Sequence, residues 1–460
     1  MRCGIALLLI FNSVYSLPNC SEINTIKPCI YNGPKQKRIF PLKSLSPNSV
    51  ERSAEITEEN WNNVTRGHIH FLYRSQGPYG SLGTSQHNSH NCNSYHTHNS
   101  VNTDDSVNSV NSVDGTRLTP IREHPMKKCI PIPHLRHVQY VMSIGVGTPK
   151  QEIYPIIDTG STNTWVISEQ CNSITCSGVP TFNSRKSSTF SPVNEGLRIR
   201  FGTGTIKGVL GIDNVTIGQD TIEKQIFGLV NEESSNVFKV IKFQGIIGLG
   251  FPKLAFDHHT SLYDNYSKQI NADLIFSLYF SNQYSYVMIG GVDERFYVGD
   301  LYMLPVVREY YWEIKLYELW VGNVKLCCDD ESYVIFDSGT SFNTMPHDQF
   351  LYFKHIVSPK ICHVLDDVLE YPVIRYVFDG GVELRLEPSE YIFLHKNKCR
   401  IAYMQIDVPS SYGRAYILGT QAFMTHFYTV YQRDPAMVGF ARAVDSSQLD
   451  PSIKALFNRN

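Results

Sequence analysis

From Val138 onward the apolar residues come in short runs rather than in long helical stripes. Val138-Gln-Tyr-Val-Met-Ser-Ile-Gly-Val146 alternates and then stops at Gly147-Thr-Pro-Lys150, which predicts a hairpin. Tyr154-Pro-Ile-Ile157 predicts a strand ending at Asp158, and Ile199 to Gly208 predicts a second hairpin around its glycines. Tyr311 to Leu316 and Glu318 to Gly322 alternate; Glu383 to Pro388 reads as a strand stopped by proline, and Phe423 to Tyr431 as a strand returning to the core. After Met345-Pro346, His347 to Val357 predicts a short helix. β-Branched and aromatic runs broken by Gly, Asn and Pro predict an all-β protein.

One pattern occurs twice. Asp158-Thr159-Gly160-Ser161 follows an apolar run, and so does Asp337-Ser338-Gly339-Thr340 after Tyr333-Val-Ile-Phe336. At a similar interval after each comes an apolar pair closed by glycine, Ile246-Ile247-Gly248 and Ile417-Leu418-Gly419. An apolar strand entering a glycine turn projects its acid from a tight, water-poor loop. One acid per copy predicts two lobes related by a pseudo-twofold axis, with Asp158 and Asp337 facing each other at the junction. Two carboxylates at that spacing cannot both ionise cheaply, so they share a proton. The competing reading is two ordinary turn aspartates capping backbone amides.

Ahead of Val138 the chemistry changes. Arg2 with the apolar run Ile5 to Phe11 and Val14-Tyr15-Ser16 reads as a secretory signal over 1–16. Residues 17–124 read as a pro-region, with a helix over Ser53 to Arg66. Its stretch 75–115 is rich in Ser, Asn, Gly and His and includes the repeat Ser106-Val-Asn-Ser-Val-Asn-Ser-Val-Asp114, too polar to offset ordering entropy. That predicts disorder and a place for activating cleavage. His87, His90, Cys92, His96 and His98 lie there, but their spacing fits no zinc pattern and predicts no metal site. The lobes are then expected at 125–305 and 306–460, the latter ending in a polar, partly helical tail with no membrane anchor.

Composition adds limits. With 42% hydrophobic and 18% charged residues the chain is ordinary globular material, and a net charge of −2 gives no reason to expect nucleic acid as a partner. Eleven cysteines suit an oxidising, secretory compartment.

Asp158 through Trp165-Val166, the Phe201-Gly202-Thr203-Gly204 turn, Phe243-Gln-Gly-Ile-Ile-Gly-Leu-Gly250, Tyr311-Trp312-Glu-Ile, Asp337 through Ser341, and Tyr416-Ile-Leu-Gly419 with Phe427-Tyr-Thr-Val430 come in the order found in pepsin-family aspartic proteases. The chain resembles that family from about Val138 onward. With Phe at the flap, a long Asn-rich pro-region and no C-terminal anchor, it is most similar to the apicomplexan maturases of the plasmepsin IX and X type. The resemblance implies a bilobal double β-barrel with a central cleft, and catalysis by Asp158 and Asp337 without metal or cofactor. Ser161 and Thr340 would bond the outer carboxylate oxygens, while Thr159 and Ser338, beside Gly160 and Gly339, would brace the two loops. Phe201, Gly202 and Thr203 would form the flap; Phe201, unlike the usual Tyr, cannot donate a hydrogen bond to Trp165. Ile156, Phe243 and Ile246 would line pockets on one side of the cut, Ile335 and Ile417 on the other, with Tyr311 near the primed side; plain core is the lesser alternative for each of the five apolar strand residues.

The resemblance also implies the disulfides Cys171–Cys176 and Cys362–Cys399. Pairing among Cys20, Cys29, Cys92, Cys129, Cys327 and Cys328 stays open, a Cys129 link to Cys327 or Cys328 being one arrangement. Lys37 to Leu45 is similar to the first strand of a pepsin-type prosegment, and Arg74 lies near the basic residue that meets the acids, unless it is simply solvated. The partners implied are polypeptide substrates and the chain's own pro-region as intramolecular inhibitor, in a monomeric enzyme of a secretory-organelle lumen or the cell exterior. A maturase acting on proteins for host-cell invasion or egress is the leading expectation. A degradative protease of an acidic vacuole and a catalytically silent pepsin-like binding protein are the rivals.

Overall fold

The apolar-apolar-glycine runs are the sheet neighbours of the acid strands. Ile156–Asp158 pairs in parallel with Gly245–Gly248, setting Ile246 beside Ile156 and Gly248 beside Asp158. Ser332–Phe336 pairs in parallel with Arg414–Leu418, setting Ile335 beside Ile417 and Phe336 beside Leu418. Parallel strands covered on both faces carry continuous apolar runs, which is why none of these four alternates. The computed structural model describes residues 38–39, 130–131, 134–135, 139–201, 204–234, 244–255, 259–281, 283–357, 365–395, 398–408, 410 and 412–457. The signal, nearly all of the pro-region and Arg74 lie outside them.

In the first half eight strands form one sheet, ordered Gln151–Ile153, Ile144–Val146, Gly204–Ile217, Asp220–Ser234, Trp165–Ile167, Gly245–Gly248 and Ile156–Asp158, with Ser191–Phe201 also paired to Gly204–Ile217. Ile144–Val146 and Gln151–Ile153 form the expected hairpin, turned by Gly147 at a φ of 84° that glycine adopts without steric cost. The second half holds a five-stranded sheet around the other acid strand and a four-stranded sheet, Val324–Cys327, Glu318–Val321, Ile374–Val377 and Glu383–Leu386.

A seven-stranded sheet joins the halves. It takes Tyr286–Ile289, Ile275–Tyr279 and Tyr297–Pro305 from one side of residue 305 and Phe427–Arg433 and Ala436–Ala443 from the other. Two short strands from earlier in the chain, Arg38–Ile39 and Ile130–Pro131, both pair with Tyr286–Ile289 at successive registers. Phe251, Phe276, Trp312 and Tyr431 interlock where the halves meet, with Phe251 and Trp312 ring centroids 4.2 Å apart and Phe276 stacked on Tyr431 at 4.7 Å.

The all-β, pepsin-like fold is as expected, but the barrels are not. Among the described residues every sheet keeps free end strands; Gln151–Ile153 and Ile156–Asp158, at the ends of the first, do not pair with each other, and closure requires that pairing. The helix predicted after Pro346 spans His347–Ile356. The strand expected from Phe423 begins instead at Phe427. Thr420–Met424 first make a π-helical turn in which Thr425 N–H donates to Thr420 O, and its start is held to the second acid loop by Thr420 N–H donating to Thr340 O at 2.9 Å. The tail carries the helix Pro451–Phe457, and no helix among the described residues is long and apolar enough to cross a membrane.

Cys171 and Cys176 are bonded, closing the loop after the first acid turn. Cys399 is in a disulfide, while Cys362 lies outside the described residues. Cys327 and Cys328 are joined to each other rather than to Cys129.

Candidate active site

Asp158 and Asp337 each leave their strand at its buried end, and neither has exposed surface. Their surroundings are near copies. Gly160 N–H donates to Asp158 Oδ1 at 2.9 Å and Gly339 N–H to Asp337 Oδ1 at 2.8 Å. Ser161 Oγ donates to Asp158 Oδ2, and Thr340 Oγ1 to Asp337 Oδ2 at 2.6 Å. The glycines permit the approach of the two acids. A Cβ on Gly160 would lie 2.5 Å from Asp337 Oδ1, and one on Gly339 would collide with Asp158 Oδ1. The glycine ending each partner strand has a like reason: a Cβ on Gly248 would strike the backbone of Thr162, and one on Gly419 would lie 2.5 Å from Thr340 O.

The two loops hold one another. Thr159 Oγ1 donates to Phe336 O at 2.9 Å and accepts from Ser338 N–H at 2.9 Å. Ser338 Oγ donates to Ile157 O at 2.8 Å and accepts from Thr159 N–H at 3.0 Å. Four buried hydrogen bonds thus cross between loops far apart in sequence, each hydroxyl serving one donor and one acceptor of the other loop.

Burial raises both carboxyl pKa values above the usual range, and the neighbouring Asp337 carboxyl raises that of Asp158 further. The hydrogen bonds from Ser161 and Gly160, and from Thr340 and Gly339, act the other way by stabilising the anions. Two acids so close titrate as a unit, and the pair retains one proton where a solvated Asp has lost it. Such a pair offers a base and an acid at one point, with no metal ligand required.

Residues 139–443 match the family model described as eukaryotic aspartyl protease. The chain belongs to the eukaryotic aspartyl protease family. Relatives include Aspartic protease 3 of Toxoplasma gondii, 41% identical over 75% of this chain and 56% of the relative. Plasmepsin IX of Plasmodium falciparum is 36% identical over 72% of this chain and 65% of its own length. Pepsin A of Sus scrofa is 34% identical over 68% of this chain and 83% of its own. The chain therefore spans between half and two thirds of the length of the two apicomplexan relatives.

Against this aspartyl protease frame, the remaining expected site residues divide. The hairpin strands Ser191–Phe201 and Gly204–Ile217 pair with Phe201 opposite Gly204, while Gly202, Thr203, Phe243 and the Phe201 side chain lie outside the described residues. Ile156, Ile246, Ile335 and Ile417 lie close together, but as core rather than open pocket wall. Their exposures are 0, 0, 1 and 0%, because paired strands inside a covered sheet bury both faces. Tyr311, in the same cluster, retains 9% exposure. Burial raises its hydroxyl pKa most, and Tyr310, Asp337, Glu313 and Asp158 add to the shift, so the ring stands within the field of both acids.

Two further residues secure the site from behind. Trp312 Nε1–H donates to Leu249 O at 3.0 Å, and Leu249 N–H donates to Asp158 O at 2.7 Å. Arg433 Nη2 donates to Gly250 O at 2.7 Å, and Gly250 N–H donates to Ser161 O at 2.7 Å. Arg433 is buried over the rings of Phe251, Tyr263 and Trp312 and pairs with Asp264 at 3.3 Å. No motif in the sequence marks Arg433. The available signal was its phase, since Phe427, Thr429, Tyr431 and Arg433 alternate onto one strand face, where an arginine needs partners to be buried.

Proposed function

We propose that this chain is an aspartic endopeptidase that hydrolyses extended polypeptide at acidic or mildly acidic pH. The observation that carries the reading is the pair of buried acids, related by matching loops, locked by a reciprocal brace and holding one proton between them. The ionised oxygen takes a proton from a water bound between the acids while the protonated carboxyl polarises the scissile carbonyl. The water oxygen adds to that carbon, a proton passes to the amide nitrogen, and the C–N bond breaks. No acyl-enzyme forms, and the pair returns to its starting protonation.

We further infer that the enzyme is made as a secreted zymogen and acts as a maturase on a few secretory-organelle proteins. The strand Arg38–Ile39, paired to the shared sheet beside Ile130–Pro131, supports a pro-region that docks on the folded lobes. The phenylalanine at the flap position and the long Asn-rich stretch ahead of the lobes, by which the chain resembles the maturases, support that role. Turnover of a peptide library by the secreted chain between about pH 4 and 7, read by mass spectrometry beside Asp158→Ala and Asp337→Ala, tests both levels. Cleavage by the unsubstituted chain alone, at few sites, is expected. Silence in every sample after removal of the pro-region refutes the enzyme; many cuts in denatured proteins refute the maturase.

A further inference from the structure

Asn214-Val215-Thr216 and Asn265-Tyr266-Ser267 each set a hydroxyl residue two positions after an asparagine. That is the spacing of an N-glycosylation acceptor, used on the surfaces of secreted proteins. No other asparagine among the described residues has it. The fold treats the two side chains differently.

Asn214 lies on the strand Gly204–Ile217 between Asp213 and Val215, each 1% exposed. Alternation turns Asn214 to the opposite face, where it stays partly exposed. The pairing with Asp220–Ser234 is irregular at this point. Asp213 faces Gln225 and Val215 faces Ile222, so Glu223 and Lys224 stand against Asn214 alone, in the manner of a bulge. Lys224, at a φ of 52°, donates its backbone N–H to Asn214 Oδ1 at 3.3 Å. Only the oxygen of an amide can accept, so this contact fixes which end of the side chain is which. Nδ2 is the other end, and among the described residues it donates to nothing. The Asn214 backbone is secured separately: its N–H donates to Asp213 Oδ1 at 2.8 Å, and its carbonyl accepts from Gly147 N–H at 2.9 Å.

Asn265 is the contrast. It lies on the helix Leu262–Ile270, and its Nδ2 donates at 2.8 Å to Oε1 of Gln225, which has no exposed surface. A sugar on that nitrogen would be driven into the contact between helix and strand.

We propose that Asn214 carries an N-linked oligosaccharide and that Asn265 does not. The proposal rests on the secreted reading and adds a covalent modification to it. The donor is an oligosaccharide joined through a diphosphate to a lipid. Nδ2 attacks C1 of the first sugar and gives up one proton, the bond from C1 to the diphosphate oxygen breaks, and the lipid diphosphate leaves. Transfer occurs on the extended chain, so the burial of Thr216 in the finished strand does not obstruct it. The fold has only to leave room at Nδ2. Oδ1 is unchanged by the reaction, so the contact with Lys224 survives it.

The test uses the full chain secreted from eukaryotic cells, carrying Asp158→Ala so that it does not cut itself. It is treated with peptide-N-glycosidase in heavy-oxygen water, which converts a glycosylated Asn into a labelled Asp, and is then read by peptide mass spectrometry. Label is expected at 214 in most of the chains and not at 265, with a matching gain in gel mobility. Asn214→Gln and Thr216→Val should each abolish label at 214, while Thr216→Ser, which keeps the acceptor spacing, should retain it. Unlabelled Asn214 in a chain that begins at Leu17 overturns the proposal while leaving the secreted reading intact. Label at 265 equal to or above that at 214 also overturns it. A chain that retains residues 1–16 and carries no label refutes the secreted reading, and the proposal falls with it.

Discussion

Ser338→Ala removes one hydroxyl from the brace and two hydrogen bonds with it. Ile157 O loses its donor at 2.8 Å, and Thr159 N–H loses its acceptor at 3.0 Å. Ser338 is 3% exposed and Thr159 0%, so water has no ready access to the vacated groups. A buried polar group left without a partner costs about 1–3 kcal/mol, so the two together should cost about 4 kcal/mol. That corresponds to a fall of roughly 4–6 °C in melting temperature for a chain of this size. The acid loops would also separate slightly, lowering kcat rather than raising KM, because the brace fixes the acids and does not touch substrate. Thermal and urea unfolding followed by tryptophan fluorescence, with peptide turnover on the same samples, would measure both effects. Ser338→Thr retains the hydroxyl and should restore stability to within about 1 kcal/mol. A Ser338→Ala chain within about 0.5 kcal/mol of the parent, with unchanged kcat, would refute the claim that the brace carries this load.

Three other outcomes follow from the geometry. Asp158→Asn should abolish turnover yet stabilise the fold near neutral pH. The folded pair binds a proton that the unfolded chain gives up near pH 4, so parent stability is fully present below that pH and falls as pH rises; unfolding compared from about pH 3 to 7 should show the variant's advantage growing upward. Gly160→Ala places a methyl 2.5 Å from Asp337 Oδ1 and should cut kcat by about 100-fold or more with little change in KM, measurable by steady-state kinetics. Arg308→Met strips the nearly buried Glu313 of a two-point partner at 2.7 and 2.9 Å and removes a guanidinium stacked between Tyr333 and Tyr412, 4.3 Å from each ring centre. It should cost about 3 kcal/mol in urea unfolding, and adding Glu313→Gln should recover much of that loss.

The acid pair, the duplicated architecture and the strand rhythm were all legible in the sequence, because each is written in a few adjacent residues. Asp158 and Asp337 head glycine turns after apolar runs, and the later Ile-Ile-Gly and Ile-Leu-Gly runs mark the partner strands. The hydroxyls of Thr159 and Ser338 were legible as brace candidates only through family likeness, since their bonds span 179 positions. The folded chain alone decided that Ile156, Ile246, Ile335 and Ile417 are core, for an apolar strand residue looks the same whether it lines a pocket or a sheet interior. It also decided that the sheets stay open among the described residues and that Arg433 secures the carbonyl of Gly250 behind the first acid loop. Turn chemistry and periodicity are set by neighbours along the chain. Burial, sheet closure and hydrogen-bond partners are set by residues brought together from distant positions, and those contacts exist only once the halves have folded onto one another.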